Sequence, residues 1–449
     1  MELSKNSKAV LSVTAMSLQG QGVAHHEGLA VFIPAAAIGD VLEVTVTKRE
    51  KRLAYAKIDR IVTPGADRQE QACPVYPRCG GCAFRHVSYE GELRVKAQAV
   101  EDALVRLGKL SPRIEPIVPA RETERYRNKA QYPVALADGR LRAGFFAPRS
   151  HRLIPCEDCL LQPAEFSRLT KIVLAHAEMY GITPYDERTG RGFLRHIYMR
   201  QSALDGKVLV CLVTNGGNAV PRQDELYQKL CGAAKICGLV QNINAKQTNV
   251  VLGGETRCLF GAPRIEDSVL GVALEVSPQS FYQVNHAQAE RLYTIAGEAA
   301  ATDGALLELH CGSGIMGLSM AGRCRELVGV DIVPSAIENA EKNAARNGIK
   351  NARFICADAD EGAQGLIKQG LRPEVVLLDP PRTGCSAGLV DTVRRLAPRR
   401  VVYVSCNPAT LARDCALFTQ NGYSLGSVTP VDMFPRTAHV ECVAVLERG

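Results

Sequence analysis

Apolar and amphipathic segments alternate along the chain from about residue 266 to the C-terminus. The apolar segments include ALLEL, ELVGVD, EVVLLD, RVVYVS and HVECVAVLE, and one segment between them, SAIENAEKNAARNG, is typical of an amphipathic helix. Nearly continuous apolar strands that alternate with helices are typical of a parallel sheet covered on both faces. The pattern therefore predicts an α/β fold, with a Rossmann-like domain over 266–449.

The first 62 residues follow a different pattern, in which glycine-containing turns divide short apolar segments. VLEVTV alternates apolar and polar residues, as a half-buried strand does. At this length a five-stranded β-barrel of the OB type is the expected fold for 1–62. The intervening stretch, 63–265, is predicted to form a central α+β domain. It begins with a polar linker and a loop rich in Cys and Gly, and it includes a helical segment over 93–108.

The composition excludes a membrane protein. The chain has 449 residues, of which 46% are hydrophobic and 22% charged. No apolar run approaches the roughly 18–20 residues that cross a bilayer, and the N-terminus shows no export signal, so we expect a cytoplasmic location. In that compartment, most of the sixteen cysteines are expected to be thiols, metal ligands or nucleophiles rather than disulfides.

The net charge of +7 is unevenly distributed along the chain. Residues 121–152 carry eight Lys or Arg and three acids, and residues 48–60 carry six Lys or Arg and two acids. Clustered positive charge suits a polyanion such as nucleic acid. On charge alone, a solvated surface explains these stretches equally well.

A glycine-containing turn follows the first strand of the predicted Rossmann-like domain, in ALLELHCGSG over 305–314. Such a turn lets the backbone approach a ligand at the N-terminus of the next helix. The next two strands end at Asp331, which can accept ribose hydroxyl groups, and at Asp358, which can meet an adenine amino group. NAD is the alternative cofactor for such a turn, and Glu308 before the turn favours S-adenosylmethionine.

Three polar segments follow the later strands: LLDPPRTG, VSCNPATLARD and RTAHVECVAVL. In open α/β sheets, ligands bind beyond the carboxyl ends of the strands. Cys406 stands at a strand-to-helix turn, so we expect it to face the cofactor crevice together with Asp379 and Glu441. Methylation of an exocyclic amine would favour an aromatic residue after DPP, where this chain has Arg382.

These residue types suit methylation of carbon 5 of uracil, which is a poor nucleophile. Addition of a cysteine thiolate to carbon 6 makes carbon 5 reactive toward a sulfonium methyl group, and a carboxylate then removes the carbon-5 proton. Cys406 and Glu441 can supply the thiolate and the base. For Cys406 alone, the competing interpretation is a buried structural thiol, which the flanking SCNP and DPPR segments disfavour.

A second group of cysteines lies far from these segments. Cys73, Cys79 and Cys82 are closely spaced, and Cys156 and Cys159 follow much later. Three close cysteines with a distant fourth can hold zinc or a [4Fe–4S] cluster, and the uneven spacing favours iron–sulfur. The spacing lacks the CxxxCxxC pattern of radical enzymes.

SCNP and HVE together resemble motifs of the RNA (uracil-5-)-methyltransferase family, and the resemblance extends over nearly the whole chain. The N-terminal segment resembles a TRAM domain, an RNA-binding module of the OB type. The resemblance implies that Cys406 is the nucleophile and Glu441 the base. It implies contacts to S-adenosylmethionine from Gln283 in FYQVN, and from His310, Asp331, Asp358 and Asp379. CPVYPRCGGCAFRH resembles the family's cluster loop, which implies a [4Fe–4S] cluster on Cys73, Cys79, Cys82 and Cys159, with Cys156 as the second choice for the fourth ligand.

The resemblance also implies that the target uridine leaves its stack, so a loop or single-stranded region of RNA is the expected substrate. We expect 23S rRNA, with transfer RNA as the alternative, and a monomeric enzyme. A non-catalytic RNA-binding factor is the alternative of another class, and the presence of Cys406, Glu441 and Asp379 disfavours it. Three residues depart from the family pattern: His310 replaces Tyr or Phe, Ile315 occupies a position that is polar in some members, and Glu308 replaces the commoner Asp.

Overall fold

A closed β-barrel, two large sheets and a small hairpin organise the chain in the computed structural model, which describes residues 3–449. Residues 1 and 2, at the start of the predicted barrel domain, lie outside the described residues. The barrel strands are β1 (Lys8–Met16), β2 (Gln21–His26), β3 (Leu29–Pro34), β4 (Val41–Arg49) and β5 (Leu53–Thr63), closed in the order β1-β2-β3-β5-β4. Alternate residues such as Leu42, Val44 and Val46 are fully buried inside it. The predicted five-stranded barrel is confirmed.

The segment after the barrel packs against the C-terminal part of the chain. It contains α1 (Tyr89–Asp102), a π-helical turn (Ala103–Leu107) and β6 (Arg113–Ile114). The helix begins one turn before the predicted 93–108 because the Ser88 hydroxyl caps it, accepting a hydrogen bond from the Gly91 N–H at 3.1 Å. Leu104 of the π-helical turn is fully buried in the core of the C-terminal sheet.

A seven-stranded, mostly antiparallel sheet forms the middle of the chain. Its strands and helices are β7 (Lys129–Ala137), β8 (Arg140–Phe146), β9 (Leu153–Pro155), α2 (Ala164–Met179), β10 (Leu194–Gln201), β11 (Val208–Thr214), α3 (Gln223–Ala233), β12 (Ile236–Ile243) and β13 (Glu255–Gly261), with the strands in the order β13-β12-β11-β10-β7-β8-β9. Ala130, Tyr132 and Val134 of β7 pack toward α2 and α3. The alternation of a strand therefore turns Lys129 and Gln131 to the other face.

A hairpin and a helix precede the C-terminal sheet: β14 (Ile265–Val269), β15 (Val272–Val276) and α4 (His286–Ala300). The C-terminal elements are β16 (Ala305–Leu309), α5 (Ile315–Ser319), β17 (Glu326–Asp331), α6 (Pro334–Arg346), β18 (Ala352–Cys356), α7 (Ala359–Lys368), β19 (Val375–Leu378), α8 (Ala387–Leu396), β20 (Arg400–Ser405), α9 (Pro408–Gln420), β21 (Tyr423–Val431) and β22 (Glu441–Arg448). Their sheet has the order β18-β17-β16-β19-β20-β22-β21-β6.

Strands β16 to β20 are parallel, as predicted, but the segment HVECVAVLE is not. Its strand, β22, runs antiparallel to both β20 and β21. The reason is the connection between β21 and β22, which is the loop 432–440 rather than a helix. That loop brings Glu441 to the same sheet edge as the carboxyl end of β20, because Ser405 pairs with Cys442.

The strand order reverses between β16 and β19, since β16 pairs with β17 on one side and with β19 on the other. A crevice opens at the carboxyl ends of strands at such a reversal. Leu309 and Leu378 end these two strands, so His310 and Asp379 border the crevice. No helix in residues 3–449 is long and apolar enough to cross a membrane. Division of the chain into domains at 62 and 265 stays a prediction.

Candidate active site

The turn after β16 adopts a left-handed backbone at three positions. Their φ angles are 62° at His310, 55° at Gly312 and 71° at Gly314. A Cβ added at Gly312 would meet no atom within 4 Å, whereas one at Gly314 would meet the Phe354 ring at 2.9 Å. The turn therefore needs Gly312 for its backbone conformation and leaves open space above it, which is the property of a backbone that a ligand can approach.

Asp331 ends β17 and Asp358 follows β18, and these two strands lie on the same side of the turn. The Asp331 carboxylate accepts hydrogen bonds from the N–H groups of Gly312 at 2.8 Å and Val333 at 2.9 Å. The Asp358 carboxylate caps α7, accepting from the Asp360 N–H at 2.9 Å. Burial lowers the pKa of His310, and both aspartates oppose that shift. The structure therefore brings these three predicted cofactor residues together.

Glu308 lies beneath the turn and is 1% exposed. One of its oxygens accepts from the Gly317 N–H at 3.2 Å, and the other is buried without a hydrogen-bond partner among residues 3–449. Burial, with the nearby charges of Asp379 and Asp331, raises the pKa of Glu308 to about 8. A Cβ at Gly317 would come within 2.2 Å of this carboxyl group, so the glycine makes room for it.

The glycine spacing does not discriminate between cofactors, because Gly312, Gly314 and Gly317 have the GxGxxG spacing that a dinucleotide site also uses. The donor and acceptor set is more informative. An open backbone turn, acceptors at Asp331 and Asp358, and one unpartnered buried carboxyl oxygen at Glu308 fit the hydroxyl, amine and sulfonium groups of S-adenosylmethionine.

Cys406 follows β20 directly and precedes Asn407, the N-cap of α9. The Asn407 side chain accepts from the Ala409 N–H at 3.1 Å and donates to the Arg382 carbonyl oxygen at 3.2 Å. The Thr410 hydroxyl donates to the same carbonyl at 3.3 Å. These bonds fasten the DPPR turn to the Cys406 turn, and they place the thiol at the positive end of a helix.

Acidic groups surround Cys406. Burial raises the pKa of its thiol, as do Glu441 and Asp379, whereas Arg382 lowers it through its charge and a hydrogen bond. Burial and Asp379 raise the pKa of Glu441 to about 8, against the opposite effect of Arg382. Burial raises the pKa of Asp379 to about 7. The predicted nucleophile and base thus share one crevice with Asp379.

Tyr293, on α4, was not among the predicted site residues. It is 7% exposed, and burial followed by the charges of Asp379, Glu308 and Glu441 raises the pKa of its hydroxyl. The Gln283 side chain, which is hydrogen-bonded to Tyr293, opposes this shift. Gln283 is therefore linked to the carboxyl groups of the site indirectly, by its hydrogen bond to Tyr293. The sequence offered no signal for Tyr293, since a tyrosine in an amphipathic helix is ordinarily a core residue.

The loop 432–440, which leads into Glu441, is fixed by a buried ionic network. The Lys96 ammonium donates to the Glu92 carboxylate at 2.7 Å and to the Asp432 carboxylate at 2.7 Å, and all three side chains are 0% exposed. The Tyr89 hydroxyl donates to Asp432 at 2.7 Å. The Arg436 N–H donates to Glu92 at 2.7 Å. Helix α1 therefore positions the loop that precedes Glu441.

The cysteines of the second group converge on one cavity of about 260 Å³. Cys73, Cys79, Cys82, Cys156 and Cys159 all line it. The thiols of the last two are in hydrogen-bond contact. Two N–H groups point at sulfur, from Gly81 to Cys79 Sγ at 3.4 Å and from the Arg85 side chain to Cys82 Sγ at 3.4 Å. Both Cys156 and Cys159 line the cavity, so its lining does not decide which of them is the fourth ligand.

No group of three or more His, Cys, Asp or Glu side chains within residues 3–449 is arranged to hold a single metal ion. A [4Fe–4S] cluster places its four thiolates on different iron atoms, so its ligands need not meet at one point. The five thiols, with hydrogen-bond donors directed at two of them, fit a group of that kind. An Arg436 carbonyl accepts from the Ala83 N–H at 2.7 Å, which joins this cysteine loop to the loop 432–440.

Comparisons with known proteins agree with this geometry. Residues 270–449 match the family described as tRNA (Uracil-5-)-methyltransferase, and residues 9–58 match the TRAM domain. An uncharacterized RNA methyltransferase of Halalkalibacterium halodurans is 40% identical over 99% of this chain and 98% of its own length. Another, of Clostridium tetani, is 37% identical over 98% and 96%.

A solved structure has the same overall fold. It is the Pyrococcus abyssi tRNA (uracil-54, C5)-methyltransferase in complex with S-adenosyl-L-homocysteine. The superposition has a TM-score of 0.78 and covers 98% of this chain and 100% of the other, at 24% sequence identity. The C-terminal sheet is thus a methyltransferase fold, and the N-terminal barrel is a TRAM domain.

Proposed function

The chain belongs to the RNA (uracil-5-)-methyltransferase family of S-adenosylmethionine-dependent enzymes, and we propose that it forms 5-methyluridine through a covalent bond between Cys406 and carbon 6 of the target uracil. The observation that carries the proposal is the shared crevice. Cys406 and Asp379 follow the carboxyl ends of the adjacent strands β20 and β19, and Glu441 begins the antiparallel strand beside β20, next to the turn at His310. A non-catalytic factor would have no use for this grouping.

In the proposed reaction the Cys406 thiolate forms a bond to carbon 6, and the electrons of the carbon 5–carbon 6 double bond move toward the carbonyl at carbon 4. The Arg382 guanidinium and the start of α9 stabilise the thiolate before attack. Carbon 5 would then form a bond to the donated methyl group while the bond from that methyl group to the donor sulfur breaks, which leaves the donor as a neutral thioether. Glu441 removes the carbon-5 proton, the carbon 6–sulfur bond breaks, and the thiolate is regenerated.

S-adenosylmethionine, when bound, supplies an electrophilic sulfonium methyl group. Asp331 and Asp358 would accept hydrogen bonds from its ribose and adenine, and His310 would pack beside it. Gln283 and Asp379 would hold its amino acid end, and the latter also borders Cys406. The positive charge of a sulfonium favours the ionised form of nearby carboxyl groups, so cofactor binding should lower the raised pKa values of Asp379 and Glu441.

We further propose that the cysteine cavity holds a [4Fe–4S] cluster on Cys73, Cys79, Cys82 and Cys159. Protein purified without air should be brown and carry about four iron atoms. Stoichiometric zinc without iron would contradict the proposal. Cys159→Ala should lose more iron than Cys156→Ala, with the exposed thiol variant Cys231→Ala as the matched control. The opposite order would assign Cys156 as the fourth ligand.

A loop or single-stranded region of 23S rRNA is the proposed substrate, and the enzyme is proposed to act as a cytoplasmic monomer. Transfer RNA is the second candidate because the matching family and the solved structure both carry tRNA names. Cells lacking the gene should lose 5-methyluridine at one mapped position of 23S rRNA. Loss from transfer RNA alone would select the second candidate.

The covalent step has its own test. RNA that contains 5-fluorouridine should form a denaturation-resistant adduct with the wild-type enzyme in the presence of S-adenosylmethionine, because fluorine cannot be removed as a proton is. Absence of any adduct, with normal methylation of uridine RNA, would exclude Cys406 addition as the mechanism.

A further inference from the structure

Two cations face each other on neighbouring strands of the central sheet. Lys129 of β7 pairs directly with Arg200 of β10 in an antiparallel register. Arg127 lies two residues before Lys129, and its positive charge also acts on the Lys129 ammonium. Like charges directly opposite each other on adjacent strands are destabilising. We call the site that Arg127, Lys129 and Arg200 form the basic cleft.

No acid compensates the basic cleft within residues 3–449. The side chains of Arg127 and Lys129 make no hydrogen bond or ion pair there, and Arg127 Nε is buried without a partner. Arg200 is 1% exposed, and its Nη1 is also unpartnered. Its other nitrogens donate to the Tyr198 hydroxyl at 2.9 Å and the Ser280 carbonyl at 3.2 Å, both neutral acceptors. Burial, then Arg200 and Arg127, lower the pKa of Lys129 to about 8.

The basic cleft adjoins the active site through the FYQVN segment. Asn128, between Arg127 and Lys129, donates from its backbone to the Val284 carbonyl at 2.8 Å. Its side chain donates to the Gln283 carbonyl at 3.0 Å. Since the Gln283 side chain reaches the carboxyl-rich crevice through Tyr293, the cleft and the crevice lie on two sides of one short segment.

We propose that the basic cleft binds a backbone phosphate of the RNA substrate close to the target nucleotide. The proposal rests on the RNA substrate of the proposed function and names a site for its phosphodiester. A half-buried pair of cations with free donors is suited to one phosphate, because the bound anion removes their mutual repulsion and satisfies donors that are otherwise unpaired. Arg200 is almost fully buried and contributes a fixed positive charge to the basic cleft.

Arg127 and Lys129 also line the cysteine cavity, so the negative charge of a cluster is the competing reason for their presence. Two observations favour RNA. Arg85 already places a guanidinium 3.4 Å from Cys82 Sγ, on the cysteines' own loop. Arg200 does not line the cavity but bonds the Ser280 carbonyl, in the segment that leads to Gln283.

The test is the salt dependence of RNA binding by the full-length, iron-loaded protein. The probe is a fluorescein-labelled, mixed-sequence, single-stranded RNA of about 20 nucleotides, and affinity is measured over a series of KCl concentrations. Losing one phosphate contact should reduce the slope of log K against log salt by about 0.7 and weaken binding about tenfold at low salt. Lys129→Met should show both effects, and Lys129→Arg should retain the wild-type slope.

Two controls separate this role from a structural one. Lys171→Met removes an exposed lysine on α2, on the far side of the sheet, and should leave the slope unchanged. Thermal unfolding of Lys129→Met should occur at the same or a higher temperature than in the wild type, because a repulsive pair is lost. A contact that merely held the fold together would lower that temperature. Arg127→Gln, whose side chain makes no bond in residues 3–449, provides a second variant with the same expectation.

Unchanged slope and affinity in both Lys129→Met and Arg127→Gln would overturn the proposal. Loss of iron from these variants with unchanged RNA affinity would also overturn it and assign the cations to the cysteine cavity. The outcome is independent of the methylation chemistry. If the wild-type protein bound RNA with the expected salt slope but formed no 5-methyluridine, the proposed reaction would fail while the phosphate site stood.

Discussion

The active-site crevice is rich in carboxyl groups and the basic cleft is rich in cations. In each place one sign of charge is in excess. The crevice gathers the carboxyl groups of Glu308, Asp379 and Glu441, and each has a raised pKa. The cleft gathers cations, and Lys129 has a lowered pKa. In both places burial is the main reason that the charged form is disfavoured, and nearby groups of like charge add to it at Glu308, Glu441 and Lys129. Perturbed pKa values of this kind cluster at functional sites.

The buried ionic network around Lys96 lies where no ligand is expected, and its charges are arranged differently from those of the crevice and the basic cleft. Lys96, Glu92 and Asp432 are as deeply buried as any group in the crevice, yet the cation bonds both carboxylates at 2.7 Å. The Arg436 guanidinium lies 3.6 Å from Glu92 and brings a second positive charge. The network around Lys96 therefore pairs buried charges of opposite sign, whereas the crevice and the basic cleft each hold an excess of one sign, which a ligand of opposite charge could neutralise.

The largest effects should follow from the two residues that we propose act directly on uracil. Cys406→Ala should abolish methylation and covalent adduct together. Glu441→Gln should lower turnover by about 10²–10⁴-fold, the usual contribution of a general base, while allowing attack and methyl transfer. Enzyme and methylated RNA should then remain linked, which a denaturing gel with labelled RNA detects. Cys356→Ala, at an exposed thiol, is the control. Turnover by Cys406→Ala would reject its role as nucleophile.

A large loss of stability is expected when the compensated network is broken. Lys96→Met leaves two buried carboxyl groups without their cation, which costs about 3–5 kcal/mol of unfolding free energy. Lys342→Met, which removes an exposed partner of Glu338 at 4.0 Å, should change stability by less than about 0.5 kcal/mol. Urea unfolding of the two variants measures the difference. Equal, small effects would contradict the distinction between compensated and uncompensated charge.

An intermediate effect should appear in the pH dependence of stability without cofactor. A carboxyl group whose pKa is raised on folding binds more protons in the folded than in the unfolded state, so stability falls as pH rises between the two pKa values. For Glu441 that window extends from about 4.5 to about 8. Glu441→Gln should flatten the decline and be about 1–3 kcal/mol more stable than wild type at pH 8. Identical profiles of stability against pH in wild type and Glu441→Gln would show that water solvates Glu441 in the crevice and keeps its pKa near the ordinary value.

The smallest effect should come from reversing one charge in the basic cleft. Lys129→Glu places an acid opposite Arg200 and should stabilise the fold by about 0.2–1 kcal/mol, the range of an opposite-charge pair across two strands. RNA affinity should fall further than in Lys129→Met, because the variant also repels phosphate. A fall in both stability and affinity would point to steric damage rather than to charge.

Much of the site could be predicted from the sequence because its residues stand at strand ends. The motifs place Asp331, Asp379 and Cys406 directly after apolar strands, and parallel strands present their carboxyl ends at one sheet edge. Glu441 is a different case. Its motif marked it as important, but it begins a strand that runs antiparallel, and only the loop 432–440 turns it toward the crevice.

Other features could not be predicted because they depend on residues far apart in the chain. Tyr293 has the pattern of an ordinary helical core residue, and only the packing of α4 against β19, β20 and β22 brings it near the carboxyl groups of the crevice. Lys129 reads as one cation in a basic stretch until strand register sets it against Arg200. The sequence predicts α1 as part of a central domain, and only the structure shows that its buried lysine bonds Asp432, more than three hundred residues later.

The sequence by itself determined the local chemistry of this protein: a left-handed glycine turn after an apolar strand, a thiol before a helix N-cap, and five cysteines with uneven spacing. The glycine turn and the helix cap depend on residues within one or two turns of each other, where backbone sterics and capping act. The tertiary structure alone decided which charges meet without a partner. Burial and strand register bring Glu308 near Asp379, and Lys129 opposite Arg200, and no local pattern encodes either distance.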